Sequence, residues 1–306
     1  APSLQPLARE LAASERLQSF ADELRGAASR VSEPGLPVLL AALHLHLDRS
    51  LLILLPEDAD ARDAAEAASW YLGEERVALF PSRGVGWDSG LAPPPHLVGE
   101  RARALDVLGT GGLVCASAAA LAEGAPPPET RPARLDLAVG DEPGIDSLAE
   151  HLALAGYERV DRVEERGQFA VRGGIIDLFP TTGRDPLRIE LFGDEIEAIR
   201  AFSPFTQRAL RPLEGATVYP AAERRLDLVP TELPDDEEHR GAPVDLVPPL
   251  DGAPDLVFEP EAVAQVWEEE RLEPIAFGDA ALLDPFPRGQ QHAFEAQRPA
   301  VAARGL

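Results

Sequence analysis

The stretch "LRIELFGDEIEAIRAF" (residues 187–202) sets charge and an aromatic ring on one side of an alternating segment. Residues two apart in a strand share a face, so Leu187, Ile189 and Leu191 fall together and Arg188, Glu190 and Phe192 fall opposite them. Two kinds of chemistry suit that second face. Arginine and large aromatics are the side chains that most often anchor protein contacts, which points to a docking surface. Alternatively, the arginine pairs with a glutamate across the sheet and Phe192 closes an edge of a small core. Upstream, Arg172-Gly173-Gly174 has the form of an RNA-binding RGG element, but such elements come in disordered repeats. Here the triplet lies inside a strand pattern, where glycines permit a bulge or a close backbone approach.

Other residues offer less. A P-loop needs a lysine for the terminal phosphates, and the chain contains none, so all 28 basic residues are arginine. "GTGG" (109–112) follows a helix and precedes a strand, the reverse of the order that cradles phosphate, and reads as a turn. "GVGWDSG" (84–90) follows a strand, but no helix start meets its glycines and no ribose-binding acid stands at the right distance. His44 and His46 are spaced i, i+2 in a helical pattern, which sends the rings to different faces and argues against a shared metal. Cys115 sits in an apolar strand as a small buried hydrophobe. The acidic runs "WEEERLE" and "PDDEEH" read as solvated faces. The pattern supports no catalytic constellation, no cofactor and no metal site.

The elements that must position these residues fall into three groups. In the first ~120 residues strand and helix alternate: a helix over "LPVLLAALHLHL", a strand over "SLLILLP", a helix over "DARDAAEAASWYLG" closed by Gly73, a strand over "RVALFP", a helix from about His96 to Leu108, and a strand over "GLVCAS". Strands separated by such helices imply a parallel sheet. After the proline-rich break "EGAPPPETRPA", a strand over "LDLAVG" and a helix with Ile145, Leu148, Leu152 and Ala155 on one face lead into strands in succession, the grammar of a small α+β domain. From about Ala221 the chain turns acidic, and "TELPDDEEHRGAPVDLVPPLDGAP" reads as a solvated loop. "DLVFEPEAVAQVWEEERL" then gives one more strand and helix, and the tail to Leu306 has little periodicity. The expected organisation is a lobe over 1–130, a domain over 131–220, and a segment over 221–306 that packs back on the first lobe.

The net charge of -25 disfavours nucleic-acid binding by the surface as a whole, because phosphate neutralisation needs clustered positive charge. A single cysteine excludes an intrachain disulfide and points to a reducing compartment. No apolar run approaches the roughly 20 residues of a membrane helix, and the N-terminus lacks the grammar of a signal peptide. A soluble, cytoplasmic protein is the expectation.

"GYERVDRVEERGQFAVRGGIIDLFP", "RIELFGDEIEAIRAF" and "TQRAL", with "WDSGLAPPPHLVGERARALDVL" and "GLVCASAAAL" upstream, resemble the N-terminal region of the bacterial transcription-repair coupling factor family, Mfd. That region is similar to the damage-recognition helicase UvrB in its domains 1a, 2 and 1b. The resemblance implies a degenerate helicase-like parallel α/β lobe carrying a small inserted α+β domain. It also implies a non-catalytic recruitment function in nucleotide excision repair, in which domain 2 binds UvrA by imitating UvrB and is masked by the C-terminal regulatory domain of the full-length protein. The family's contact positions carry over to Arg172 in "VRGG" and to Arg188 and Phe192 in "LRIELF". The competing expectations are a UvrB-type DNA-remodelling ATPase module, or an arginine face that serves intramolecular regulation.

Overall fold

The structure is a computed structural model that describes residues 4–23, 28–228, 254–277 and 279–286. The acidic stretch expected to be a solvated loop and the C-terminal tail beyond Phe286 lie outside the described residues.

Along the chain come α1 (Gln5–Ala12), α2 (Glu15–Glu23), β1 (Ala28–Val31), α3 (Leu36–Leu47), β2 (Leu51–Leu55), α4 (Asp58–Leu72), β3 (Val77–Phe80), α5 (Pro95–Gly109), β4 (Leu113–Ser117) and α6 (Ala118–Glu123). Next are β5 (Leu135–Ala138), α7 (Ile145–Leu154), β6 (Glu158–Arg159), β7 (Gln168–Arg172), β8 (Ile175–Leu178), β9 (Leu187–Phe192), β10 (Glu195–Phe202), β11 (Ala209–Leu213) and β12 (Gly215–Val218). β13 (Leu256–Phe258), α8 (Pro260–Glu269) and β14 (Ala281–Pro285) follow. The chain divides into two compact units: residues 1–81, 104–122 and 250–306 in one, and 82–103 with 123–249 in the other. The first lobe expected over 1–130 therefore gives up residues 82–103 and 123–130 to the second unit.

The first unit is built on a six-stranded sheet in the order β1-β14-β13-β2-β4-β3, with every neighbouring pair parallel. Its inner strands are continuous apolar runs, as strands covered on both faces must be: all five residues of β2 and of β4 are buried. α4 ends where Gly73 adopts φ +99°, a conformation that L side chains rarely take. Periodicity did not signal β14, because "ALLDP" offers only three apolar residues before Asp-Pro. It is a strand because β1 and β13 flank it and pair with its backbone on both sides. Cys115 is fully buried in β4, and burial pushes its thiol up to about 12, in keeping with a packing role. No helix among the described residues is long and apolar enough to cross a membrane.

The second unit contains a six-stranded sheet in the order β11-β10-β9-β8-β7-β6, antiparallel except for the parallel pair of β6 and β7, and a two-stranded ribbon of β5 and β12. Leu148 and Leu152 of α7 join Phe169, Ile176, Leu178, Ile189, Leu191, Ile196 and Ile199 in one core. That core fixes the register: a one-residue slip of β9 would send Ile189 and Leu191 into water and bury Arg188 and Glu190. The opposite face of the sheet is therefore the polar one.

Candidate protein-docking face

Two hairpin turns end this sheet on the same side. β7 and β8 are joined by Gly173-Gly174, and β9 and β10 by Gly193-Asp194, with Gly173 at φ +60° and Gly193 at φ +64°. Arg172 thus ends β7, and the two glycines after it form the hairpin turn, not a bulge within a strand. Gly174 is still needed for a close approach, since a Cβ there would come within 2.7 Å of the Leu191 carbonyl oxygen.

Register places the polar side chains. Asp177 of β8 lies opposite Arg188 of β9, which lies opposite Arg200 of β10. One step nearer the turns, Arg172, Ile175 and Glu190 form the adjoining row. From strand spacing, Arg172 stands about 10 Å from β9, and Arg188 and Phe192 are about 14 Å apart along it. All three fit under one partner footprint of ordinary size, roughly 800 Å² a side.

The three residues are held differently. Phe192, last in β9, is 81% exposed and joins no core cluster among the described residues. The expectation that it closes an edge of the core fails, because the ring at the turn end of β9 is open to solvent. Arg188 is a fixed side chain: its Nε donates to Asp177 Oδ1 at 2.7 Å and its Nη2 to Asp177 Oδ2 at 2.8 Å. Its guanidinium carbon lies 5.0 Å from the Phe202 ring centroid. Bonding to the Asp177 carboxylate raises the Arg188 pKa above its ordinary value. The cross-sheet acid is therefore Asp177 and not a glutamate; Glu190 pairs instead with Arg200. Arg172 is exposed and donates from Nη2 to the Asp161 carbonyl oxygen.

Pattern reading missed Asp177 and Phe202. Phe202 belongs to a small buried cluster with Val163 and Ala170, on the polar side of the sheet. An aspartate inside the apolar run "IIDLF" was the available signal for the first. At the opposite end of the sheet, Phe205 in the β10–β11 turn is 89% exposed, a second displayed aromatic that alternation could not flag. Of the other arginines nearby, Arg166 bonds to the Pro180 and Thr181 carbonyls, while Arg184 and Arg208 are exposed.

Comparison with known proteins adds an independent finding. Residues 135–223 match the UvrB interaction domain. The chain is also 37% identical over 218 residues to the transcription-repair-coupling factor of Myxococcus xanthus, covering 66% of this chain and 18% of that protein. It is 32% identical over 192 residues to the Bacillus subtilis factor, covering 61% of this chain and 16% of that protein. A UvrABC system protein B from Thermosipho africanus is 36% identical over 111 residues, covering 36% of this chain and 17% of that protein. The chain spans less than a fifth of the length of these relatives. Arg172, Arg188 and Phe192 all lie inside the UvrB interaction domain, as does the whole six-stranded sheet that carries them.

The other place to look for a ligand is beyond the carboxyl ends of the parallel strands, where open α/β sheets hold nucleotides. Here Glu57 follows β2, Glu259 follows β13 and Asp284 lies in β14. Burial and the neighbouring charges of Asp60, Glu33 and Asp284 raise the Glu259 pKa, and burial, Glu270, Asp60, Asp58 and Glu269 raise that of Glu57. A phosphate would meet the same repulsion. Because the folded state holds the Glu259 proton more tightly than the unfolded chain does, stability falls as pH rises through the raised pKa. Glu259→Gln is expected to stabilise the protein at pH 7, by no more than about 0.5 kcal/mol because solvent screens the repulsion at this partly open side chain, and to change nothing at a pH low enough to protonate the carboxylate. Thermal melts of both proteins across that range check the sign.

Proposed function

We propose that this chain is a non-catalytic recruitment module that docks UvrA in the manner of UvrB and so serves the coupling of transcription to nucleotide excision repair. The observation that carries the reading is the displayed Phe192 on the same face of β9 as an arginine locked by two hydrogen bonds, inside a segment that matches the UvrB interaction domain. A phenylalanine that is 81% exposed costs solubility, and its place at a hairpin end is best explained by a partner that covers it. In this reading the parallel unit is a degenerate helicase-like lobe into which the α+β domain is inserted. Its missing lysine and carboxylate-lined strand ends favour a scaffold over an ATPase. Masking by a C-terminal regulatory domain would act on the same face in a full-length protein.

The test is calorimetric titration of the chain into purified UvrA, with ATPase and DNA-binding assays alongside. The expected result is a complex with Kd on the order of 1 μM or tighter, about 8 kcal/mol, and neither ATP hydrolysis nor salt-sensitive DNA binding. ATP turnover by the isolated chain, or no heat of binding at ten times that concentration, would sink the reading.

A further inference from the structure

Arg188 and Arg172 would meet a partner with different chemistry, although both are arginines. A guanidinium has five N–H donors in a fixed plane. Asp177 takes the side edge of Arg188, the Nε–H and one N–H of Nη2, through both carboxylate oxygens. Its side chain, opposite Arg188 on the neighbouring strand, is 7% exposed against 26% for Arg188, so little of the carboxylate is open to a docked protein. Phe202, wholly buried, sits against the guanidinium at 5.0 Å. The next pair along the face, Glu190 with Arg200, is also matched in charge. What Arg188 offers outward is therefore its terminal fork, two N–H groups of Nη1 and one of Nη2, with its charge balanced by a buried anion. Arg172 is exposed, bonds to the neutral Asp161 carbonyl and has no carboxylate partner among the described residues.

Building on the docking reading, we propose that Asp177 is a positioning residue for partner binding: it orients and neutralises Arg188, so that Arg188 engages neutral acceptors on the partner, main-chain carbonyl or amide oxygens, and Arg172 supplies the electrostatic attraction. A neutral acceptor suits a guanidinium already paired, because a second carboxylate would be repelled by the first. The contribution of Arg188 is then nearly independent of salt, whereas that of Arg172 is screened away as ionic strength rises.

The test is a double-mutant cycle on the intact chain binding UvrA, with Asp177→Asn, Arg188→Ala and the double variant, at about 0.05 and about 0.5 M salt. Asp177→Asn is expected to weaken binding about tenfold in the parent and hardly at all when Arg188 is already alanine. The Arg188→Ala loss should be similar at both salts, and the Arg172→Ala loss should shrink at the higher one. If Asp177→Asn binds as the parent does, or costs the same in both backgrounds, the positioning role is wrong. Should Arg188→Ala itself bind like the parent, it is the docking reading that fails. Arg188→Lys decides the matter without touching Asp177: it keeps charge but loses the fork, so binding as weak as that of the alanine variant supports the proposal and parental binding overturns it.

Discussion

Phe192→Ala is expected to weaken UvrA binding by about thirtyfold, ~2 kcal/mol, while leaving the melting temperature of the free chain unchanged. Burying the ring in a partner pocket would remove roughly 150 Å² or more of apolar surface. At about 25 cal/mol per Å² that is gross stabilisation of about 4 kcal/mol, from which the ordering costs of association subtract. The same substitution costs the fold little, because a side chain that is 81% exposed has few contacts to lose. Phe202→Ala is the contrasting control. That ring is wholly buried, so its loss should lower stability by about 3–5 kcal/mol and affect binding through unfolding and through Arg188. Titration and thermal melting on the two variants separate a surface anchor from a core residue. Parental affinity in a folded Phe192→Ala protein would remove the anchor from the docking account.

The faces of β9 are legible in the sequence because strand periodicity fixes them: Leu187, Ile189 and Leu191 are buried and Arg188 and Phe192 are not. The identity of the acid that clamps Arg188 is not legible in the same way. That pairing depends on the register between β8 and β9, which the connection from Phe179 to Pro186 sets, and alternation within one strand carries no information about its neighbour. The same limit explains β14, whose strand conformation comes from two parallel neighbours distant in sequence. By contrast β2, α4 and α7 carry their own signals in apolar runs, helical spacing and a closing glycine, and the structure places them where those signals do. The contact positions themselves required more than patterning. Arg172 lies outside the alternating segment that flagged Arg188 and Phe192, and only the family resemblance joined it to them.

The most severe fold defect is expected from a feature that the sequence hid completely. Four charged side chains separated by up to 140 residues meet inside the second unit. Arg83 donates from Nε to Glu223 Oε2 at 2.8 Å, while the Arg83 backbone N–H donates to Glu123 Oε2 at 2.8 Å. Arg101 lies 3.2 Å from Glu223 Oε1 and 3.6 Å from Glu123 Oε2, and it donates to the Gly124 carbonyl oxygen. The Trp87 ring covers the Arg83 guanidinium at 3.4 Å. Arg83 and Arg101 are nearly fully buried, and burial lowers the Arg101 pKa even though Glu223 and Glu123 oppose the shift. The four charges cancel, which is what makes their burial tolerable. Arg101→Ala leaves two carboxylates facing one guanidinium out of water and is expected to destabilise the protein by about 3–5 kcal/mol. Removing the charge on both sides, as in Arg101→Met with Glu223→Gln, should recover a large part of that loss, since the remaining Arg83 and Glu123 stay balanced. Denaturant melts of the single and double variants measure the difference. A double variant no more stable than Arg101→Ala would mean that the cluster acts through packing, with charge balance contributing little.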